Sequence, residues 1–219
     1  MISWARGVLV LYVVLVLCSC AVVRLADQDN VKSPIEMDTY RIILSDAGEW
    51  KGWRVSTSKV SERVLLEKQH VWPITGEVLG VTTIQVFKNQ AMATQWDLSE
   101  EKVADEIRAL EEKTMLEEGV KKGEYALEYV RNDTVTIAGK KLYRMSYKAQ
   151  KGSWVSSWLL QRPIVEAALI VYVPSSYRET GSFYEFHINE SYKPGRPVEV
   201  NLGRIFSVIS GFEMKLQRQ

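Results

Sequence analysis

The groups with reactive chemistry in this 219-residue chain are few: Cys18 and Cys20, His70 and His187, and hydroxyls and carboxylates spread along the sequence. The two cysteines stand two residues apart in VLVLCSCAVVR at 14–24. That spacing admits a redox pair, a metal site, a lipid attachment or part of a membrane helix. A metal site needs further donors, and neither histidine is near. On a strand, His187 shares a face with Glu185 and Asn189, because alternate residues point the same way. Such a trio suits metal binding or proton transfer; the ordinary alternative is a polar strand surface. No Gly-x-Ser-x-Gly elbow, Gly-rich phosphate loop or HExxH motif occurs. A triad is assembled in space and leaves no spacing to read. No catalytic residue, metal site or cofactor is therefore assigned from the sequence.

The cysteines close an apolar run. Arg6 is followed by GVLVLYVVLVL at 7–17, without a charge. A basic start and a short apolar run make a secretory signal. Leu17-Cys18-Ser19-Cys20 then resembles the lipobox of bacterial lipoproteins. The resemblance implies that Leu17, Cys18 and Ser19 are read by signal peptidase II. It implies a diacylglyceryl thioether on Cys20, with cleavage just before it. On that reading residues 1–19 are the signal, 20–38 a lipidated tether and 39–219 one domain. The chain is then held to a membrane of the bacterial cell envelope, its domain on the periplasmic side. Ala21 and Val22, in place of an Asp after the lipidated Cys, favour the outer membrane. The rival is an uncleaved anchor over Gly7–Val23, which at ~1.5 Å per residue barely crosses a ~30 Å hydrocarbon core.

Lys and Arg number 28 against 27 Asp and Glu. Removing residues 1–19 takes away Arg6 and no acid, so the remainder is balanced. That argues against nucleic acid as a partner.

The elements that must position any site follow from residue patterns. A short strand is expected at Tyr40–Leu44, and longer ones at Arg63–Gln69 and Leu79–Lys88. Asp97–Glu118 reads as a helix capped by Asp97 or Ser99, with Val103, Ile107, Leu110 and Thr114 on one side. Its acids suggest a solvated face with Arg108–Glu112 and Lys113–Glu117 pairs. Glu124–Ile137 and Lys140–Ala149 form a hairpin about Ala138-Gly139. Further strands are expected at Ser153–Gln161, Glu166–Val173 and Ser182–Asn189. The period of Leu202, Ile205, Phe206, Ile209 and Phe212 reads as a closing helix.

This order points to an α+β fold, an antiparallel β-sheet sandwiched with helices. The early strand ending near Trp50, the charged helix, the hairpin VTIAGKKLYRMSYKA at 135–149, the strand EAALIVYV at 166–173 and the segment LGRIFSVISGFEM at 202–214 resemble the PsbP-like fold. That fold includes DcrB-like envelope lipoproteins, which agree with the N-terminus. The resemblance implies a non-enzymatic binding or accessory module for an envelope protein or small ligand. The alternatives are a membrane-tethered, hydrolase-like enzyme and a small inner-membrane complex subunit. Trp50, Trp53 and Trp72 border turns and are expected to be partly exposed as a partner patch. Trp154 and Trp158, four apart on a strand, suit a core or a stacking platform.

Overall fold

The computed structural model describes residues 31–45, 48–91, 97–114, 125–151, 164–192 and 203–215. Cys18, Cys20, Trp154 and Trp158 lie outside them, as does the strand expected at Ser153–Gln161. The described strands are β1 (Ile35–Glu36), β2 (Tyr40–Ile42), β3 (Arg54–Ser58), β4 (Arg63–Val71), β5 (Val78–Gln90), β6 (Tyr125–Ile137), β7 (Lys140–Lys151), β8 (Ile164–Tyr172), β9 (Ser182–Tyr192) and β10 (Phe212–Met214). The helices are α1 (Glu100–Thr114), α2 (Tyr177–Thr180) and α3 (Gly203–Ser210). Seven strands form an antiparallel sheet in the order β3-β4-β5-β9-β8-β7-β6, and β1-β2-β10 form a second, small sheet. The fold is α+β.

Period-two patterning splits the large sheet into two apolar faces. On one, Val64, Leu66, Ile84, Val86, Ile170, Phe186 and Ile188 pack against the small sheet and α3. On the other, Tyr143, Leu169, Val171 and Phe183 pack against Val103 and Ala104 of α1. Ser99 starts α1: its carbonyl accepts from the Val103 amide at 3.0 Å and its hydroxyl from Lys102 at 3.4 Å. Leu110, expected on the buried side, is 65% exposed. Arg108 pairs backwards with Asp105 rather than forwards with Glu112. The β6–β7 hairpin turns on Ala138 and Gly139 with φ of 49° and 74°, the pair of positive values that a tight hairpin needs.

Three sequence expectations are corrected here. The stretch expected to end a tether belongs to the folded part, since Val31, Ile35 and Met37 are buried. Its strand pairing depends on β2, with Ile35 opposite Ile42, a partner that local composition does not show. The closing helix stops at Ser210, and Phe212 lies on a strand opposite Ile42. Gly211 makes this possible: its carbonyl accepts from the Ile43 amide at 2.8 Å, and a Cβ there would sit 1.7 Å from the Ile43 carbonyl oxygen. Trp50 and Trp53 are 1% and 0% exposed, not partly exposed. A turn in which the Trp53 amide donates to the Trp50 carbonyl at 3.2 Å folds both rings inward, 5.1 Å apart.

The small sheet is tied down through Tyr40. Its buried hydroxyl lies within hydrogen-bond distance of the carbonyls of Glu62 at 3.0 Å and Val86 at 3.2 Å. Burial, then the negative charge of Glu62, pushes its phenol well above the ordinary value; burial also raises Tyr184 and Tyr172. A phenol whose folded pKa is raised contributes stability that is complete below its unfolded value and is lost as pH climbs above it. Unfolding of the full chain should therefore need constant denaturant up to about pH 10 and progressively less above it. Tyr40→Phe should flatten that alkaline fall while costing about 1–2 kcal/mol at neutral pH. Equal alkaline slopes in the two proteins would rule out Tyr40 as a source.

Candidate functional site

Strand β9 crosses the middle of the sheet and places Glu185, His187 and Asn189 on the face covered by α1, as period two requires. Its neighbour β5 sets Gln85 opposite His187, Thr83 opposite Asn189 and Phe87 opposite Glu185, while β8 sets Leu169 opposite His187. His187 Nε2 lies 2.8 Å from Glu185 Oε2, and Asn89 Nδ2 donates to Glu185 Oε1 at 2.5 Å. The Phe87 ring packs against the imidazole at 4.9 Å. A carboxylate oxygen accepts, so Nε2 carries the proton shared with Glu185, and in the neutral imidazole Nδ1 is the acceptor. The cavity beside the ring holds about 160 Å³, lined also by Thr83, Tyr147 and Glu111 of α1. The histidine side chain is 28% exposed and Glu185 12%.

This is an oriented imidazole with its carboxylate, two parts of a proton-transfer unit. Among the described residues no hydroxyl or thiol hydrogen-bonds to His187. His70 lies on the opposite face, its Nε2 2.7 Å from Thr82 Oγ1. The structure thus keeps the two histidines apart. No group of three or more His, Cys, Asp or Glu among the described residues is placed to hold a metal ion.

Two features escaped the sequence reading. One is a row of polar side chains on the other face, where Lys68 pairs in register with Thr82, Thr82 with Glu190, Glu190 with Glu166, and Glu166 with Lys148. Glu190 is 2% exposed, and Tyr192 donates to Glu166 at 3.4 Å. Each member looks like an ordinary surface residue within its own strand; only the register aligns them. The other is Arg204 at the start of α3, whose guanidinium lies 5.6 Å from the Trp53 ring centre. Among the described residues its Nε and Nη1 are buried without a hydrogen-bond partner, as are the indole nitrogens of Trp50 and Trp53.

Of the expected tryptophan patch, Trp72 alone reaches the surface, half-buried in the β4–β5 connection. Its amide donates to Glu77 and its carbonyl accepts from Gly76, which shapes the loop. Ile74 beside it is 85% exposed, and Val71 and Val78 flank it. Among the described residues an exposed apolar patch thus lies at this hairpin tip rather than at the 48–53 turn.

The arrangement of the elements resembles the solution structure of cyanobacterial PsbP (CyanoP) from Synechocystis sp. PCC 6803. The TM-score is 0.39 at 12% identity, over 75% of this chain and 93% of that one. No protein-family model matches the chain, and no curated protein matches it.

Two measurements follow from these geometries. Long-range proton–nitrogen NMR should find the neutral form of His187 protonated at Nε2, and Glu185→Gln should let the other tautomer appear; a dominant Nδ1–H form in the parent chain would contradict the pairing. Arg204→Met keeps the packing on Trp53 and removes buried donors that lack acceptors, so stability should hold or rise by about 1 kcal/mol. A loss of more than about 2 kcal/mol would mean that the guanidinium has an acceptor.

Proposed function

We propose that this chain is a membrane-anchored lipoprotein of the bacterial cell envelope, held through a lipid on Cys20, whose domain is a non-enzymatic binding or accessory module. The observation that carries the reading is Leu17-Cys18-Ser19-Cys20, set directly after an uncharged apolar run. A thiol there is the nucleophile that takes the diacylglyceryl group, and the small residues before it fit a peptidase that cuts at Cys20. Each buried methylene of the acyl chains contributes ~0.8 kcal/mol, so a multiply acylated Cys is a durable anchor.

The packing of Val31 supports a short tether. The eleven residue-to-residue steps from Cys20 to Val31 span at most about 40 Å fully extended. The domain then works close to the bilayer, on its periplasmic side, and Ala21 and Val22 favour the outer membrane. Among the described residues no helix is long and apolar enough to cross a membrane. An envelope protein or a small ligand is the partner class that suits a balanced net charge.

A tethered enzyme is the second reading, and the Glu185-oriented imidazole of His187 is what favours it.

Intact mass spectrometry of the membrane-extracted full chain, beside Cys20→Ala, tests the anchor. The expected mass lacks residues 1–19 and carries acyl chains, with neither change in the variant. An unmodified full-length mass in both would instead make residues 7–23 an uncleaved membrane helix and the chain a subunit of an inner-membrane assembly.

A further inference from the structure

At the β6 end of the large sheet, strands β6, β7 and β8 build a floor that changes character across its width. Register sets Arg131 beside Ser146 and Ser146 beside Ala168, and in the next row Asp133 beside Arg144 and Arg144 beside Ile170. Polar side chains thus occupy the two outer strands and apolar ones the third. Helix α3 overhangs the apolar end with Ile205 and Phe206. Between floor and overhang lies a cleft of about 270 Å³. Ala168 and Ile170 are 4% and 0% exposed, so its inner end is part of the core.

The outer end is cationic. Arg144 grips Asp133 in a fork, Nε to Oδ1 at 2.7 Å and Nη2 to Oδ2 at 2.5 Å. Those bonds hold the Asp133 carboxyl below its ordinary value, so it is ionised at neutral pH. Arg131 stands 3.5 Å from the same carboxylate with a side chain 70% exposed. Two guanidiniums against one carboxylate leave one positive charge at the mouth. The fork uses Nε and Nη2 of Arg144, and Nε of Arg131 faces the same carboxylate. Among the described residues Arg144 Nη1 and the two Nη groups of Arg131 are then left to meet an anion, with Ser146 beside Arg131 lining the same cleft. One row further along this face, Lys148 and Glu166 bring opposite charges that cancel.

We propose that this cleft binds a medium-chain carboxylate amphiphile, its head against Arg131 and Arg144 and its tail under α3. The assignment deepens the binding-module reading and rests on it. An apolar floor alone would accept any alkyl chain; the charge at the mouth selects the anion. The volume equals about nine water-sized groups at about 30 Å³ each, which suits octanoate and not a full-length phospholipid chain. Binding should weaken about fourfold for every methylene removed from the tail, the transfer cost of one buried CH₂.

The test uses the full chain in lipid nanodiscs and octanoate bearing a terminal diazirine, with peptide mapping after photolysis. Labelling should be saturable and concentrated in residues 164–172 and 203–210. Octanoate should displace it, hexanoate about sixteenfold less well, and octylamine not at all. Arg131→Glu, at an exposed position, should weaken labelling at least tenfold with an unchanged circular dichroism spectrum. Ala168→Leu should weaken it by filling the cleft with both arginines intact. Non-saturable labelling, labels spread over other segments, equal competition by octylamine, or labelling unchanged in Arg131→Glu would each overturn the assignment. The mass of Cys20 is read on the same sample. A lipidated chain that fails to label loses the cleft assignment alone, and a labelled chain without lipid loses the anchor alone.

Discussion

The fold depends on one ring. Phe212 lies 4.8 Å from the ring of Tyr184, 5.2 Å from those of Tyr40 and Phe186, and 6.3 Å from that of Tyr172. These contacts join the small sheet to the centre of the large one, mostly edge to face, the geometry aromatic quadrupoles favour. Phe212 reaches that point because Gly211 lets the chain leave α3 against the backbone of Ile43. Strand β10 then pairs with β2, whose partners lie about 170 residues earlier in the chain; Arg41 and Glu213 record the distance with an exposed ion pair of 2.6 Å. Such an exposed pair contributes little to stability. The ring cluster decides where α3 rests, and α3 in turn roofs the cleft at the sheet edge.

The two faces of the large sheet are covered unequally. One receives the small sheet, the Trp50–Trp53 turn and α3. Among the described residues the other is covered chiefly by α1. A helix of 15 residues is about 22 Å long, whereas seven strands at about 4.8 Å spacing are nearly 30 Å wide. One helix cannot seal such a surface. Among the described residues Thr83, Gln85 and His187 remain half-buried on this face, where the groove beside the imidazole lies. Val103, Ala104 and Ile107 of that helix meet the sheet, whereas Leu110, one turn further on, is exposed.

What the sequence revealed was set by local chemistry. Ala138-Gly139 marked its hairpin, Ser99 its helix start, and the alternation around His187 put Glu185 and Asn189 on the right face. What it concealed depended on partners distant along the chain. Phe212 continues the spacing of Ile205 and Ile209, so a period of 3.6 extends the helix over it; pairing with β2 overrides that period. Residues 31–37 look like linker because their strand is two residues long and borrows its stability from β2. Trp50 and Trp53 flank glycines, which suggests a surface turn, yet two indoles offer too much apolar area to leave in water when a sheet face lies beneath them. His187 was legible as a candidate, whereas Gln85, Asn89 and Phe87 around it required the β5–β9 register.

The register also shows where the core must end. Along the face that carries the cleft, five adjacent strands change from apolar or small to polar at the same row: Leu66 to Lys68, Ile84 to Thr82, Ile188 to Glu190, Ala168 to Glu166, and Ser146 to Lys148. A single strand with this change would be unremarkable. Five in register define a border, because apolar cover placed beyond it would strand charges without water. Glu190 sits on that border at 2% exposure, the most costly position in the row. The cleft lies on the apolar side, one row short of the change, with Ser146 and Ala168 as its last members. Its tail end is therefore bounded by the core and its length by the charged row. A long alkyl chain extended past Ala168 would meet Glu166 and lose the burial it came for, which is the physical reason that the site favours a short tail.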